Sequence, residues 1–284
     1  MFTKLALKYN YVKSDMWGKY LLYLLSTNPE ITTVRDVFLQ QIPVFKGKNL
    51  IPFKLDDINF FIDDWDYSYP TSYLGDDNIP SCHSNNYPPL TILKVQYDLI
   101  HKEKYDILYN KYKIKVLPFI MFPNRYFNLA FDKWKYNNNQ YLCFHTGRIW
   151  RGRSAWVNFL NTSNLNIPKI HKGLIIDKEY EQLLLKTKWG LILKGKGVGK
   201  NRREVEYMSI GMPLALNYKP HYPFEYNANE HYVFLEKPQD ILKLQDIDPE
   251  PYAQKSLEIY EKYYSIHHGL YNSFNMAYAS ARII

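Results

Sequence analysis

The sequence predicts an α/β protein with mostly parallel sheets, arranged as two Rossmann-like domains that face a cleft. Three observations predict it. Short apolar runs recur, among them Ile58 to Ile62, Trp189 to Leu193 and Leu214 to Leu216, and they lack the polar alternation of half-exposed strands. Segments with helical spacing fall between such runs, as βαβ units require. The two halves of the 284 residues are alike in kind, and each half is long enough for a small domain.

Taken in order, Lys4 to Tyr9 reads as the first strand. Ser14 or Asp15 caps a helix over Met16 to Ser26, whose apolar face carries Trp17, Leu21, Leu24 and Leu25. Ile31 to Gln41 reads as a short helix, and Ile58 to Ile62 as a buried strand ending in Asp63-Asp64-Trp65-Asp66. Residues 67–89, rich in Tyr, Pro, Ser, Asn, Asp and Gly, read as one long irregular loop, a type often functional. Leu90 to Tyr112 mixes strand and helix signals. Ile114 to Met121 is a buried segment interrupted by Pro118, and Tyr141 to Phe144 is a further strand. A helix begins at Ala155, a strand covers Leu174 to Ile176, and Asp177 opens a helix through Leu185. Later, Tyr222 to Tyr226, Tyr232 to Leu235 and Gln239 to Leu244 continue the alternation of loop, strand and helix. Pro249-Glu250-Pro251 breaks the chain before an aromatic-rich helical segment, Tyr252 to Ala279. The expected domains are 1–146 and 147–250, followed by a helical segment, 251–284.

Composition narrows the class. Hydrophobic residues make up 46%, ample for packed cores, and the net charge of +8 suits polyanions, phosphorylated substrates or an anionic membrane surface. Two cysteines, Cys82 and Cys143, provide neither a disulfide framework nor zinc spacing. Met1 to Lys13 lacks the long apolar core of a signal peptide, and no apolar run approaches the ~20 residues that span a bilayer. A cytoplasmic protein is expected, with peripheral membrane contact left open. The basic residues are interspersed with acidic ones and no nucleic-acid module is recognised, so nucleic acid is not the expected partner.

The second half is organised around residues 188–216. Trp189 to Leu193 form a strand. Lys194, Gly195, Lys196, Gly197, Gly199 and Lys200 follow, and Asn201 caps a helix from Arg202 to Ile210. Gly211 suits the position just past a helix, and Pro213 prevents its resumption. Backbone N–H groups, a helix N-terminus and the cations Arg202 and Arg203 thus gather at the carboxyl end of a strand, where α/β sheets bind anionic ligands. The alternative is a solvated basic loop. A Walker A loop is excluded because only three residues separate Gly195 from Gly199-Lys200, and G-x-G-x-x-G fails on the G-x-G-x-G spacing.

Arg203-Glu204-Val205-Glu206, followed by Gly211-Met212-Pro213 and an apolar strand, resembles the donor-binding half of GT-B glycosyltransferases. The likeness is nearest to the exostosin-like and related sugar-nucleotide families and covers about residues 170–245. It implies that Glu206 holds the ribose hydroxyls and that Arg203 lies near the diphosphate. It also implies a C-terminal helix crossing back to the first domain. Many retaining members carry a second Glu eight residues earlier, where this chain has Val198, which favours inversion. In the resembled fold a Gly-Arg turn opens the second domain. Gly147-Arg148 matches it, with Arg151 and Arg153 close behind, and arginine forks pair well with phosphate. A solvated or salt-bridging arginine cluster is the alternative.

Acceptor-side chemistry has several candidates. Asp64 and Asp66 follow a buried strand. They are general bases in the GT-B reading, metal ligands in a rival GT-A reading, or part of a solvated turn. Asp15 is a base or a helix cap, and His83 a base or a surface residue. His145 is either a buried, satisfied histidine or a catalytic one. The expected activity is transfer of a hexosyl or pentosyl group from a UDP- or GDP-type sugar to a glycan hydroxyl, with no metal or cofactor required. Oligomeric state is left open. The alternatives are a GT-A enzyme and a non-catalytic nucleotide- or nucleic-acid-binding protein.

Overall fold

The structure, a computed structural model, describes residues 5–9, 31–35, 50–55, 58–63, 90–94, 99, 102–112, 114–118, 140–146, 149, 151–168, 177–195, 202–222 and 224–265. The chain divides into two compact units, Met1–Ile120 with Leu270–Ile284, and Met121–Gly269. Both carry α/β structure with parallel strand pairing.

The first unit holds six strands: β1 (Leu5–Tyr9), β2 (Ile31–Arg35), β3 (Leu50–Leu55), β4 (Ile58–Asp63), β5 (Leu90–Lys94) and β6 (Ile114–Pro118). Their order is β2-β1-β3-β4-β5-β6. Ile31 to Arg35 is a strand parallel to β1 rather than the start of a helix. Its Ile-Thr-Thr-Val run is β-branched, and such side chains favour a pleated surface over a helix. The sheet is mixed, because β3 pairs antiparallel with both β1 and β4. Only Asp56 and Asp57 separate β3 from β4, a hairpin spacing. β3 is not among the strands the sequence analysis names, and it carries Pro52 within the strand. Helix α1 (Lys102–Tyr112) connects β5 to β6, and Pro118 ends β6 at the sheet's edge, where a missing N–H is tolerated.

The second unit is built on β7 (Tyr141–Phe144), β8 (Thr187–Ile192), β9 (Leu214–Leu216) and β10 (Val233–Phe234), all parallel, in the order β10-β9-β8-β7. The order of these strands does not reverse. The division between the units precedes β7, whereas the sequence had set it after residue 146. The reason is pairing: Tyr141, Cys143 and Phe144 lie in register with Thr187, Trp189 and Gly190. Helices α2 (Arg151–Thr162) and α3 (Asp177–Leu185) follow β7, and α4 (Arg202–Ser209) follows β8.

Period-two alternation distributes this sheet between two layers. On one face Cys143, Trp189, Leu191, Leu193, Ala215 and Val233 pack with Trp156 and Leu160 of α2 and with Ile241 and Leu244 of a 3-10 helix, Pro238–Gln245. The Trp189 indole N–H donates to the Leu244 carbonyl at 3.1 Å. Asp240 secures that 3-10 helix by accepting the Glu236 and Lys237 amides, and the Lys243 ammonium, first among several groups, holds its carboxyl below the usual range. On the other face Phe144 meets the rings of Tyr180 and Tyr207, and Gly190 lies under Tyr207.

Gly190 sets how closely α4 approaches. A Cβ there would stand 2.4 Å from Tyr207 Cδ2 and 3.0 Å from Met212 Sδ. Gly190→Ala should therefore cost about 3 kcal/mol, the upper part of the usual overpacking range. Chemical denaturation of the variant checks this.

Gly211 ends α4 as expected, at φ 73°. Its N–H bonds to the Met208 carbonyl and that of Met212 to Tyr207, the paired bonds of a Schellman cap. The Pro249-Glu250-Pro251 segment starts a helix rather than only breaking the chain: α5 (Glu250–Ile259) opens there, where a first turn tolerates proline, and continues into a π-turn, Tyr260–Tyr264. Helix α5 packs against α4. The expected helix from residue 266 onward lies outside the described residues, as do the expected helix Met16 to Ser26 and strand Leu174 to Ile176. Among the described residues no helix is long and apolar enough to cross a membrane.

Candidate functional site

Parallel strands β7 and β8 end at the same edge of the second sheet, and helices α2 and α4 begin after those ends. Arg153 sits in the first turn of α2, and Arg203 in the first turn of α4. The positively polarised first turns of two helices therefore stand at that edge.

Arg153 is only 6% exposed. Its Nε donates to the Lys194 carbonyl at 2.8 Å and its Nη2 to the Leu193 carbonyl at 2.7 Å. It thereby ties α2 to the strand end, and its charge stays at the carboxyl edge. Lys194 and Gly195 are exposed. The sequence had assigned the amides of this loop to an anion, but the Lys194 N–H donates to Asn217 Oδ1 at 2.6 Å. That bond joins the end of β8 to the residue after β9.

His145 lies just past β7 and is 2% exposed. It is buried, as one reading expected, and a hydrogen bond with the Leu191 backbone acts on its ring. Burial, then the charges of Arg203 and Arg153, push its pKa down to about 3, against a weaker pull from the Leu191 backbone. Its imidazole is therefore neutral at ordinary pH, within electrostatic reach of both arginines. The unfolded chain binds this proton near pH 6.5, the folded chain only near 3. Stability should accordingly fall by about 1.4 kcal/mol for each pH unit as pH drops through that window. The fall should be smaller in His145→Phe, which denaturation at pH 7 and pH 4.5 would reveal.

Helix α4 presents two faces. Arg203, Glu206 and Tyr207, three and four residues apart, share one. Glu206 is 8% exposed and accepts the Tyr180 hydroxyl at 3.0 Å. The residue expected to hold a ribose is thus engaged by α3. Burial, then the charge of Glu206, raises the Tyr180 pKa well above its ordinary value, while Arg203 acts in the opposite sense.

The second face carries Glu204, which is fully buried and accepts hydrogen bonds from the hydroxyls of Tyr218 and Tyr222. Burial first, and Glu204 next, raise both phenols well above their usual pKa. Around them the Tyr222, Phe224 and Tyr226 rings pack together, and Phe224 stacks on Tyr263 at 4.0 Å and 10°. The loop after β9 is thus bound to the first turn of α4 and to the π-turn that follows α5. Sequence reasoning missed Glu204. The available signal was a tyrosine-rich segment, Tyr218 to Tyr226, lying downstream of an acidic first helical turn.

The structure therefore gathers Arg153, Lys194, Gly195, Arg203 and Glu206 in one region of the second unit. Arg202 is the first residue of α4, its side chain outside the description. The other expected donor residues, Arg148, Lys196, Gly197 and Asn201, and the expected acceptor-side residues, Asp15, Asp64, Asp66 and His83, lie outside the described residues. Among the described residues no three His, Cys, Asp or Glu side chains converge as metal ligands. No family model matches the chain, and neither a curated protein nor a solved structure does.

Proposed function

We propose that the second unit binds the diphosphate of a sugar nucleotide and that the chain is a glycosyltransferase of GT-B type, with two Rossmann-like domains. The observation that carries this reading is that Arg153, bonded to the Leu193 and Lys194 carbonyls, and the first turns of α2 and α4 stand at the carboxyl edge of a parallel sheet. Negative charge grows on the leaving diphosphate during transfer, so prearranged cations and amides act there most strongly. In this reading Arg203 contacts the diphosphate and Arg153 holds the strand end that frames it. Glu206 positions α4 through Tyr180 rather than binding the ribose directly, which modifies the role implied by the resemblance. The acceptor is a glycan hydroxyl whose proton passes to a base outside the described residues, with Asp64, Asp66, Asp15 and His83 as candidates. Transfer is inverting and needs no metal, and the protein is cytoplasmic.

The test is release of nucleoside diphosphate from UDP-, GDP-, CDP- and ADP-sugars, with divalent cation and with excess chelator. Turnover of one base class that survives the chelator is expected. Turnover lost with the chelator would favour the GT-A alternative at Asp64 and Asp66. Failure with every donor, alongside tight nucleotide binding, would mark a non-catalytic module.

A further inference from the structure

Side chains hold the exit of β8 from two sides. From α2, Arg153 Nη2 donates to the Leu193 carbonyl at 2.7 Å and Nε to the Lys194 carbonyl at 2.8 Å. From the other side comes Asn217, the residue directly after β9. Ile192 lies opposite Leu216 in the sheet, so Asn217 stands level with the residues leaving β8. Its own N–H reaches the Ile192 carbonyl at 3.5 Å, and its Oδ1 accepts the Lys194 N–H at 2.6 Å. The side chain thus takes over where the backbone ladder stops. The two attachments differ in kind. The bond from Arg153 to Leu193 is buried, whereas the bond from Lys194 to Asn217 is exposed, where water competes for it. Its net contribution to stability is therefore small. What it fixes is the direction in which the chain leaves β8 toward the glycine-rich segment.

We infer that Asn217 is a positioning residue for the anion site, presetting the chain that leaves β8 with an acceptor that carries no charge. The inference rests on the diphosphate-binding reading above and deepens it. An aspartate would accept the same N–H and bond it more strongly, because its oxygen is ionised. It would also place a negative charge at the carboxyl edge and repel an anion there. A carboxamide provides the acceptor without the charge. A chain exit fixed before the ligand arrives also spares part of the ordering cost of binding.

The substitution that separates this role from that of a plain strand-end bond is Asn217→Asp. It should keep the Lys194 N–H bonded, so the Tm and the hydrogen exchange of that amide should match the wild-type protein. Affinity for inorganic pyrophosphate, UDP and GDP, measured by calorimetry, should nevertheless fall about tenfold or more. Asn217→Ala removes the bond without adding charge. Its Lys194 amide should exchange faster and its affinity should fall about threefold, with the Tm nearly level. Wild-type affinity in either variant, or affinity lost only in step with a lowered Tm, would overturn the inference and leave the diphosphate reading standing. Failure of the wild-type protein to bind any of the three probes would overturn both.

Discussion

Glu204→Ala should destabilise the second unit by about 4 kcal/mol, lowering its Tm by roughly 10 °C. The carboxylate is fully buried and accepts the Tyr218 and Tyr222 hydroxyls. Removing it strands two phenols that are themselves buried, each at about 1–3 kcal/mol, and removes a negative charge from the first turn of α4, worth a few tenths more. Glu204→Gln keeps one acceptor oxygen and should cost about half as much. The decisive comparison removes both sides. Glu204→Leu combined with Tyr218→Phe and Tyr222→Phe should recover most of the loss, because no polar group is then orphaned. Equilibrium denaturation of these variants measures the coupling. Strictly additive losses would mean that the three residues do not act as one unit.

Arg203→Ala should weaken binding of the preferred nucleoside diphosphate about a hundredfold, the equivalent of ~2.7 kcal/mol and of one charge-assisted contact to phosphate. Arg203 is only partly buried, so its loss should leave the fold intact, unlike that of Glu204. Arg203→Lys keeps the charge but not the planar fork and should fall between. The substitution has a second expected signature. After burial, Arg203 is the larger of the two charges that depress His145, so its removal should raise the His145 pKa from about 3. A proton NMR titration reads that shift without any ligand, and calorimetry reads the affinity. An affinity unchanged in Arg203→Ala would remove Arg203 from the site.

Much of this architecture was legible in the second half of the chain. The run Trp189 to Leu193, the helix after Asn201 and the turn at Gly211 follow from burial, capping and positive φ, all local properties. What escaped was non-local. Ile31 to Arg35 reads as the start of a helix from the sequence, and its pairing with β1 makes it a strand. β3 is not among the strands the sequence analysis names, and it is defined by its pairing with β4 and β1. Tyr141 to Phe144 was recognised as a strand, but nothing in four residues tells which sheet they join.

The site divides in the same way. The motif identified α4, Arg203 and Glu206 as a group, because their spacing is local. It did not reveal that Tyr180 takes Glu206, that Tyr218 and Tyr222 take Glu204, or that Arg153 bonds to the end of β8. Those partners lie 14 to 41 residues away in the chain, and pairing over such separations is set by packing. A buried His145 is one of two readings the sequence allows, and the structure buries it.

The most direct test of the central claim is thermal unfolding with UDP, GDP, CDP and ADP, each with divalent cation and again with excess chelator, on wild type and Arg203→Ala. At 100 times its dissociation constant, one nucleotide should stabilise the wild-type fold by ~2.7 kcal/mol, the chelator should make no difference, and Arg203→Ala should lose the effect. A wild-type midpoint that no nucleotide raises would contradict the account and reduce the arginine edge of the second sheet to a structural feature.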